Sequence, residues 1–184
     1  DDVRGQFLET MDTAQLVAVA KELDTDDFAD ILQQLPETIT NQVLESLDSR
    51  DRTRVESVLS YPEDSAGGLM NTDTITVRPR HAAELVLRYL RLRRELPPTT
   101  DALIIVNSRD EYLGVLPITK LLTADPSVTV REIMNSEEPP IHVAESDTEV
   151  ARLFSERDLV SEAVVDNAGH LVGRITIDDV VDVI

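Results

Sequence analysis

The chemistry this sequence can offer is that of oxygen ligands. Its 184 residues hold 36 Asp and Glu against 17 Lys and Arg, a net charge of −19, with no Cys. Without thiols, disulfide scaffolds and thiolate metal sites are excluded. The three His (His81, His142 and His170) stand in unrelated contexts, which argues against a transition-metal centre. Carboxylates, in contrast, recur at helical spacing. Asp26 and Asp30 are i and i+4, as are Asp178 and Asp182, and Asp179 and Asp182 are i and i+3. Neighbouring like charges on a helix cost a few tenths of a kcal/mol. Asp26, Asp27, Asp178 and Asp179 have a local reason to be there, because acids opening a helix complement its dipole. Asp30 and Asp182 lie deeper and gain less, and Asp158 closes a helical segment, where the dipole disfavours negative charge. Acids placed against local electrostatics suit a hard divalent cation. Hard divalent ions take oxygen ligands, and such sites need acidic faces brought together more than a tight motif. No D-x-D-x-D-G loop occurs, so an EF-hand is excluded.

The charge excludes other functions. An acidic chain does not bind phosphate backbones or dock on anionic lipid; it favours metal ions or basic protein surfaces. Unbroken apolar stretches such as Ala102–Val106 are far too short to span a bilayer. There is no nucleophile elbow, Walker loop, H-E-x-x-H or Rossmann fingerprint, so the chain is not read as an enzyme. Gly67-Gly68 reads as a flexible turn at a domain junction. The chain opens at Asp1 without Met or a signal peptide, so it is read as a piece of a longer protein. The charge is also uneven: residues 1–60 carry a net −9, residues 61–125 a net −1 and residues 126–184 a net −9. Two acidic blocks set side by side repel unless something positive lies between them.

The elements that must position these acids follow from periodicity. In residues 1–60, Phe28, Ile31, Leu32 and Leu35 fall at i, i+3, i+4 and i+7, and Val43, Leu44, Leu47 and Val55, Val58, Leu59 repeat the rhythm. Breaks at Asp24-Thr25, Pro36-Glu37 and Asp48-Ser49 predict short helices capped at Thr25 and Ser49, hence an all-α, superhelix-like N-terminal domain. The wheel sets Asp26 and Asp30 nearly opposite the Phe28–Leu35 face, exposed to solvent.

Residues 61–125 and 126–184 are two copies of one unit. Leu69-Met70 is echoed by Ile133-Met134, and Ile75-Thr76-Val77 by Ile141-His142-Val143. Next come amphipathic helices on Ala82, Leu85, Val86, Tyr89 and on Val150, Leu153, Phe154, then strands Ala102–Val106 and Ala163–Val165. Glycine-bearing strands follow at Gly114 and Gly173, and closing helices begin near Ile118 and Ile177. The order is β-α-β-β-α, and neither copy can bury both faces of so small a sheet, so the two must pack together.

This order, with a hydrophobic-Gly strand and a closing Thr176-Ile177-Asp178-Asp179, resembles the CBS domain in a tandem pair over residues 67–184. The run from Tyr61 to Met70 (YPEDSAGGLM) and the helix Asp26–Leu32 followed by Leu35-Pro36 resemble the MgtE-type magnesium channel/transporter family. The resemblance implies a helical N domain (1–60), a first CBS repeat with its entry helix (61–125) and a second CBS repeat (126–184), together an α plus α/β cytosolic region. It implies a Mg²⁺ sensor on the cytoplasmic face of the membrane, a homodimer formed through the CBS domains and a linked membrane domain following Ile184. It also implies metal ligands at Asp26 and Asp30 of the N domain and at Asp158, Asp179 and Asp182 of the second repeat. Glu149 and Glu145 stand behind them, the loop before their helix being shorter here. CBS pairs also commonly take adenine nucleotides such as ATP, through a Thr-x-x-Asp corner, which points to Thr176 and Asp179 with Arg174. The first copy reads Thr119-Lys120-Leu121-Leu122 and lacks that acid; aligned on the glycines, Lys120 stands where the second copy has Asp179. A third possibility is a metal-independent module whose Arg78–Arg94 stretch binds a partner or an acidic patch of the same protein.

Overall fold

The structure, a computed structural model, describes residues 11–181 and Val183. Four helices come first: α1 (Thr13–Val19), α2 (Thr25–Gln33), α3 (Glu37–Ser46) and α4 (Ser49–Leu59). Their apolar rows close a core of Leu16, Phe28, Leu32, Leu35, Val43, Leu44, Leu47 and Val55. Each cap falls one residue earlier than the sequence pattern suggests. Asp48, not Ser49, caps α4, its carboxylate accepting from the Arg50 and Asp51 amides. Asp24, not Thr25, precedes α2, without a side-chain cap bond. An aspartate carboxylate reaches the first free amides as well as a hydroxyl does, so Asp48 satisfies the capping rule in place of Ser49.

The rest is the expected duplication. The first copy has a one-turn helix α5 (Ala66–Leu69), β1 (Thr76–Val77), α6 (Ala83–Arg93), β2 (Ala102–Val106), β3 (Tyr112–Pro117) and α7 (Ile118–Thr123). The second has α8 (Val130–Ile133), β4 (Ile141–His142), α9 (Asp147–Arg157), β5 (Ser161–Val165), β6 (Leu171–Thr176) and α10 (Ile177–Val181). Each forms a three-stranded sheet with a parallel first pair and an antiparallel second pair. The two sheets meet where Ile104 and Val106 pack with Ala163, Tyr112 and Leu171.

The copies also exchange their entry segments. Asn135, leading into the second repeat, pairs with Val115 on β3 of the first; Asn71, leading into the first repeat, pairs with Arg174 on β6 of the second. This reciprocal crossing explains the two strand glycines. A Cβ at Gly114 would stand 2.2 Å from the Asn135 carbonyl oxygen, and one at Gly173 2.8 Å from that of Asn71. Gly67-Gly68 is not a flexible turn: both residues are buried in α5, where a Cβ would strike the Tyr61 ring or the Pro62 carbonyl. Arg78 serves its own repeat, its guanidinium holding Asp110 at 3.0 Å and the Asn107 carbonyl, which pins the β2–β3 turn.

The helical region lies against this pair. Ala29 of α2 and Val58 of α4 belong to the same buried cluster as Met70, Ile141, Val150, Phe154 and Ile175. Beside it, Thr25 Oγ1 meets Thr72 Oγ1 at 3.0 Å and Arg54 meets Asp73 at 3.2 Å. Like charge therefore does not describe the whole contact. An apolar ridge against the second repeat and a half-exposed ion pair to the entry segment of the first, the latter worth at most about 1 kcal/mol, bring the helical region onto the two repeats, and the acidic faces meet at the edge.

Candidate functional site

That edge is a cleft of about 490 Å³. Helix α2 lines it with Asp26, Asp27 and Asp30, the junction before α5 with Glu63 and Asp64, α9 with Asp147 and α10 with Asp179; Gly68, Leu69 and Val183 complete the wall. No lysine or arginine lines it among the described residues. A larger cleft of about 850 Å³ carries both signs, Lys21, Arg50, Arg54 and Arg93 with Glu22, Asp24, Asp51, Asp73 and Glu95, and has no such bias.

Asp26 corrects the expectation of an exposed pair. Its residue is only 7% exposed, because α2 is covered on two faces, by its own bundle through Phe28 and Leu32 and by the second repeat through Ala29. Asp26 Oδ1 is fully enclosed and has no hydrogen-bond partner. Burial pushes its carboxyl up to about 8, with the charges of Asp179 and then Asp27 adding to the shift. Asp30, exposed as expected, is raised to about 6, first by partial burial and then by Glu63 and Asp27. Asp179 is raised by burial even though the Thr176 hydroxyl and amide donate to its Oδ2 at 2.7 and 2.8 Å. A buried carboxylate with one unpartnered oxygen, on a residue repelled by neighbouring carboxylates, lacks a positive charge and a donor, both of which a hydrated divalent ion supplies. Among the described residues, no three acidic or histidine side chains stand close enough to enclose a bare ion. The donor set therefore fits an ion that keeps its water shell and accepts these carboxylates through it.

The remaining sequence candidates lie elsewhere. Asp158 caps the far end of α9 from Asp147, a helix of 11 residues and thus about 16 Å long. Its φ of 52° gives it a backbone role, since aspartate is one of the few non-glycine residues that tolerate the left-handed conformation. Glu149 is taken by Arg152, which donates to it at 2.5 and 2.8 Å and holds its pKa low. Glu145 contributes its backbone carbonyl, 2.8 Å from the Ala66 amide, and is not in the cleft. Asp182 lies outside the described residues. Glu63, Asp64 and Asp147 were missed. Their one advance signal is the acidic pair directly before Ser65, the residue that caps α5 and whose chain pairs with Ser146 at the start of α9.

The residues assigned to a nucleotide are occupied by one another. The Thr176 hydroxyl meets Asp178 at 2.6 Å as well as Asp179. Arg174 is buried, and its guanidinium donates to the Pro98 and Thr99 carbonyls at 2.6 and 3.2 Å. It ties the first repeat to the second instead of facing an open cleft.

A helical domain followed by paired β-α-β-β-α repeats with exchanged entry segments is the architecture of an N domain joined to a tandem CBS pair. Residues 1–64 match the family described as MgtE intracellular N domain, and residues 130–184 match the CBS domain. The crystal structure of the cytosolic domain of the Mg²⁺ channel MgtE in complex with ATP superimposes with a TM-score of 0.93 at 35% identity, covering 100% of this chain and 75% of that one. This chain belongs to the MgtE family. The magnesium transporter MgtE of Thermus thermophilus is 38% identical over 162 residues, 86% of this chain and 36% of its own length. That of Bacillus subtilis is 26% identical over 195 residues, 100% of this chain and 43% of its own. The chain thus spans well under half of the transporters it matches. The soluble part of a magnesium transporter, at 22% identity and a TM-score of 0.92, shares the fold.

Proposed function

We propose that this chain is the cytosolic magnesium-sensing region of a magnesium channel, on the cytoplasmic face of a membrane and linked to a membrane domain. In this reading residues 1–60, 61–125 and 126–184 are its N domain and two CBS repeats, and it acts as a homodimer through the CBS domains. The observation that carries it is the enclosed, unpartnered Asp26 carboxylate in a cleft walled by acids from the helical domain, the junction and the second repeat. Asp26, Asp30 and Asp179, with Glu63 and Asp147, hold a hydrated Mg²⁺ in this cleft, which Asp158, Glu145 and Glu149 do not line.

Ala29 and Val58 attract the helical domain to the second repeat and the Arg54–Asp73 pair ties it to the entry segment of the first, whereas the acidic edge repels it. An ion bound at that edge favours the closed form by its differential affinity for closed over open, and by no more than that. In the whole protein, closure is transmitted through α10 to the membrane domain and shuts the pore, so internal Mg²⁺ limits its own entry. Small-angle scattering and limited proteolysis across millimolar Mg²⁺ test this. The chain compacts and resists cleavage as the ion rises, and Asp26→Ala combined with Asp30→Ala abolishes both responses. A response that survives in the double variant would remove the cleft from the mechanism.

The adenine-nucleotide reading stands second because a relative was crystallised with ATP. Against it, Thr176 and Asp179 satisfy each other, Asp179 faces α2, and Lys120 replaces the acid in the first repeat. Calorimetric titration with ATP should therefore give no heat of binding to the Mg²⁺-loaded chain. A saturable signal lost in Asp179→Ala would instead reinstate the nucleotide at this corner.

A further inference from the structure

The two repeats differ where each closing corner meets the other copy. Aligned on Gly114 and Gly173, Arg174 of β6 corresponds to Val115 of β3, so the fold itself accepts a valine there. Arg174 is nevertheless a buried cation. Its guanidinium donates to the Pro98 and Thr99 carbonyls, and its Nε is enclosed without a hydrogen-bond partner. Among the described residues no carboxylate comes within 4.0 Å of it. A buried charge held by neutral carbonyls alone is destabilising where an apolar residue would serve.

The carbonyls that Arg174 reaches belong to a connection that the second copy lacks. From the left-handed Arg94 to Ala102 the chain runs through residues 95–101, whereas from the left-handed Asp158 to Ser161 it needs only 159–160. The added length carries Pro97, Pro98 and Thr99. Thr99 has a φ of 54°, a conformation that a β-branched residue keeps only where its surroundings hold it. Arg174 holds its carbonyl, and its side chain lies against Asp178. Arg174 and Thr176, two apart on β6, share a face of the strand. The connection and the guanidinium therefore meet beside the Thr176–Asp179 corner. An adenosine entering such a corner would offer ribose hydroxyls to its carboxylates and a purine amino group to nearby carbonyls. Here Thr99 and the planar fork of Arg174 bring those donors from within the chain. The arginine also stands only at the corner that keeps its acid: where the first repeat has Val115, it has Lys120 in place of Asp179.

We infer that Arg174 is a specificity-determining residue, which with the Pro97–Thr99 connection occupies the Thr176–Asp179 corner and keeps adenosine phosphates out of it. The inference deepens the proposed function by leaving Asp179 to the cation cleft, and its test is read in magnesium-free buffer. The probe is AMP, followed by calorimetry. The wild type should give no saturable heat up to millimolar AMP. Arg174→Val, which installs the residue of the other repeat, should bind AMP at least about tenfold more tightly, because two carbonyl acceptors are released for it. Arg174→Lys keeps the charge but cannot span both carbonyls; it should fall between the two, and it decides the matter if the valine variant does not melt cooperatively. Asp179→Ala in the Arg174→Val background should abolish the gain. Mg²⁺-induced protease protection, measured separately, should persist in Arg174→Val, since Arg174 does not line the acidic cleft. Wild-type binding as tight as that of the variants overturns the assignment, as does a folded variant that takes no AMP. AMP binding that survives Asp179→Ala places the nucleotide elsewhere and overturns it too.

Discussion

Asparagine at position 26 should close the helical domain on the second repeat without any cation. Asp26→Asn keeps the shape of the side chain and removes the charge that burial, Asp179 and Asp27 all oppose. Its amide also brings donors to a carboxylate oxygen cluster that has few. The apolar ridge of Ala29 and Val58 and the Arg54–Asp73 pair are common to both proteins, so a comparison isolates the acidic edge. In magnesium-free buffer, proteolysis of the variant should be as slow as that of the wild type at saturating Mg²⁺, and adding the ion should slow it little further. The sign of the pH effect follows. The carboxyl is raised from 3.8 to about 8 in the docked form, so docking of the wild type weakens as pH climbs from the lower value to the higher and is weakest above it, whereas the variant is indifferent. Equal cleavage of the two proteins in cation-free alkaline buffer would mean that repulsion at Asp26 does not govern closure.

Glu162→Gln should stabilise the fold by on the order of 3 kcal/mol above neutrality and by nothing in acid. Glu162 lies on β5, 3% exposed, and its Oε1 accepts the Ala163 amide at 2.8 Å. Burial raises its pKa from 4.5 to about 7; the Ala163 bond pulls it down, Glu138 and Asp101 push it up and Arg157 pulls it down. Below pH 4.5 the carboxyl is neutral whether folded or unfolded, and the charge costs nothing. Between 4.5 and 7 the unfolded chain ionises while the folded one holds its proton, so stability falls as pH rises, by about 1.4 kcal/mol per unit. Above 7 the whole penalty is present. Glutamine removes it and keeps the acceptor for Ala163. Denaturant melts of both proteins from pH 4 to pH 9 report the difference, and a gap that does not change with pH would show that Glu162 is solvated in the folded state.

Much of the fold was legible because its signals are local. The rows Phe28–Leu35, Val43–Leu47 and Val55–Leu59 specify helices through contacts three and four residues apart, and the core uses those same rows. The strands at Gly114 and Gly173 could be matched across the duplication without any structure, and so could the closing helices at Ile118 and Ile177. Half of the acidic site was legible too, since an aspartate pair at helical spacing and a closing Asp178-Asp179 are visible as charges lacking local compensation.

What the sequence alone determined is therefore each element, its repeat and the excess of negative charge that any arrangement must accommodate. The tertiary structure decided which charges meet. A helical wheel assumes one buried face, so it placed Asp26 in solvent; α2 has two, because a second domain lies on it. The same assumption turned Leu85 and Tyr89 inward. Glu63, Asp64 and Asp147 joined Asp26 and Asp179 only when the chain path brought four segments together, while Asp158 was left at the opposite end of α9. Periodicity reports contacts along one helix; desolvation and repulsion between carboxylates depend on what arrives from elsewhere in the chain.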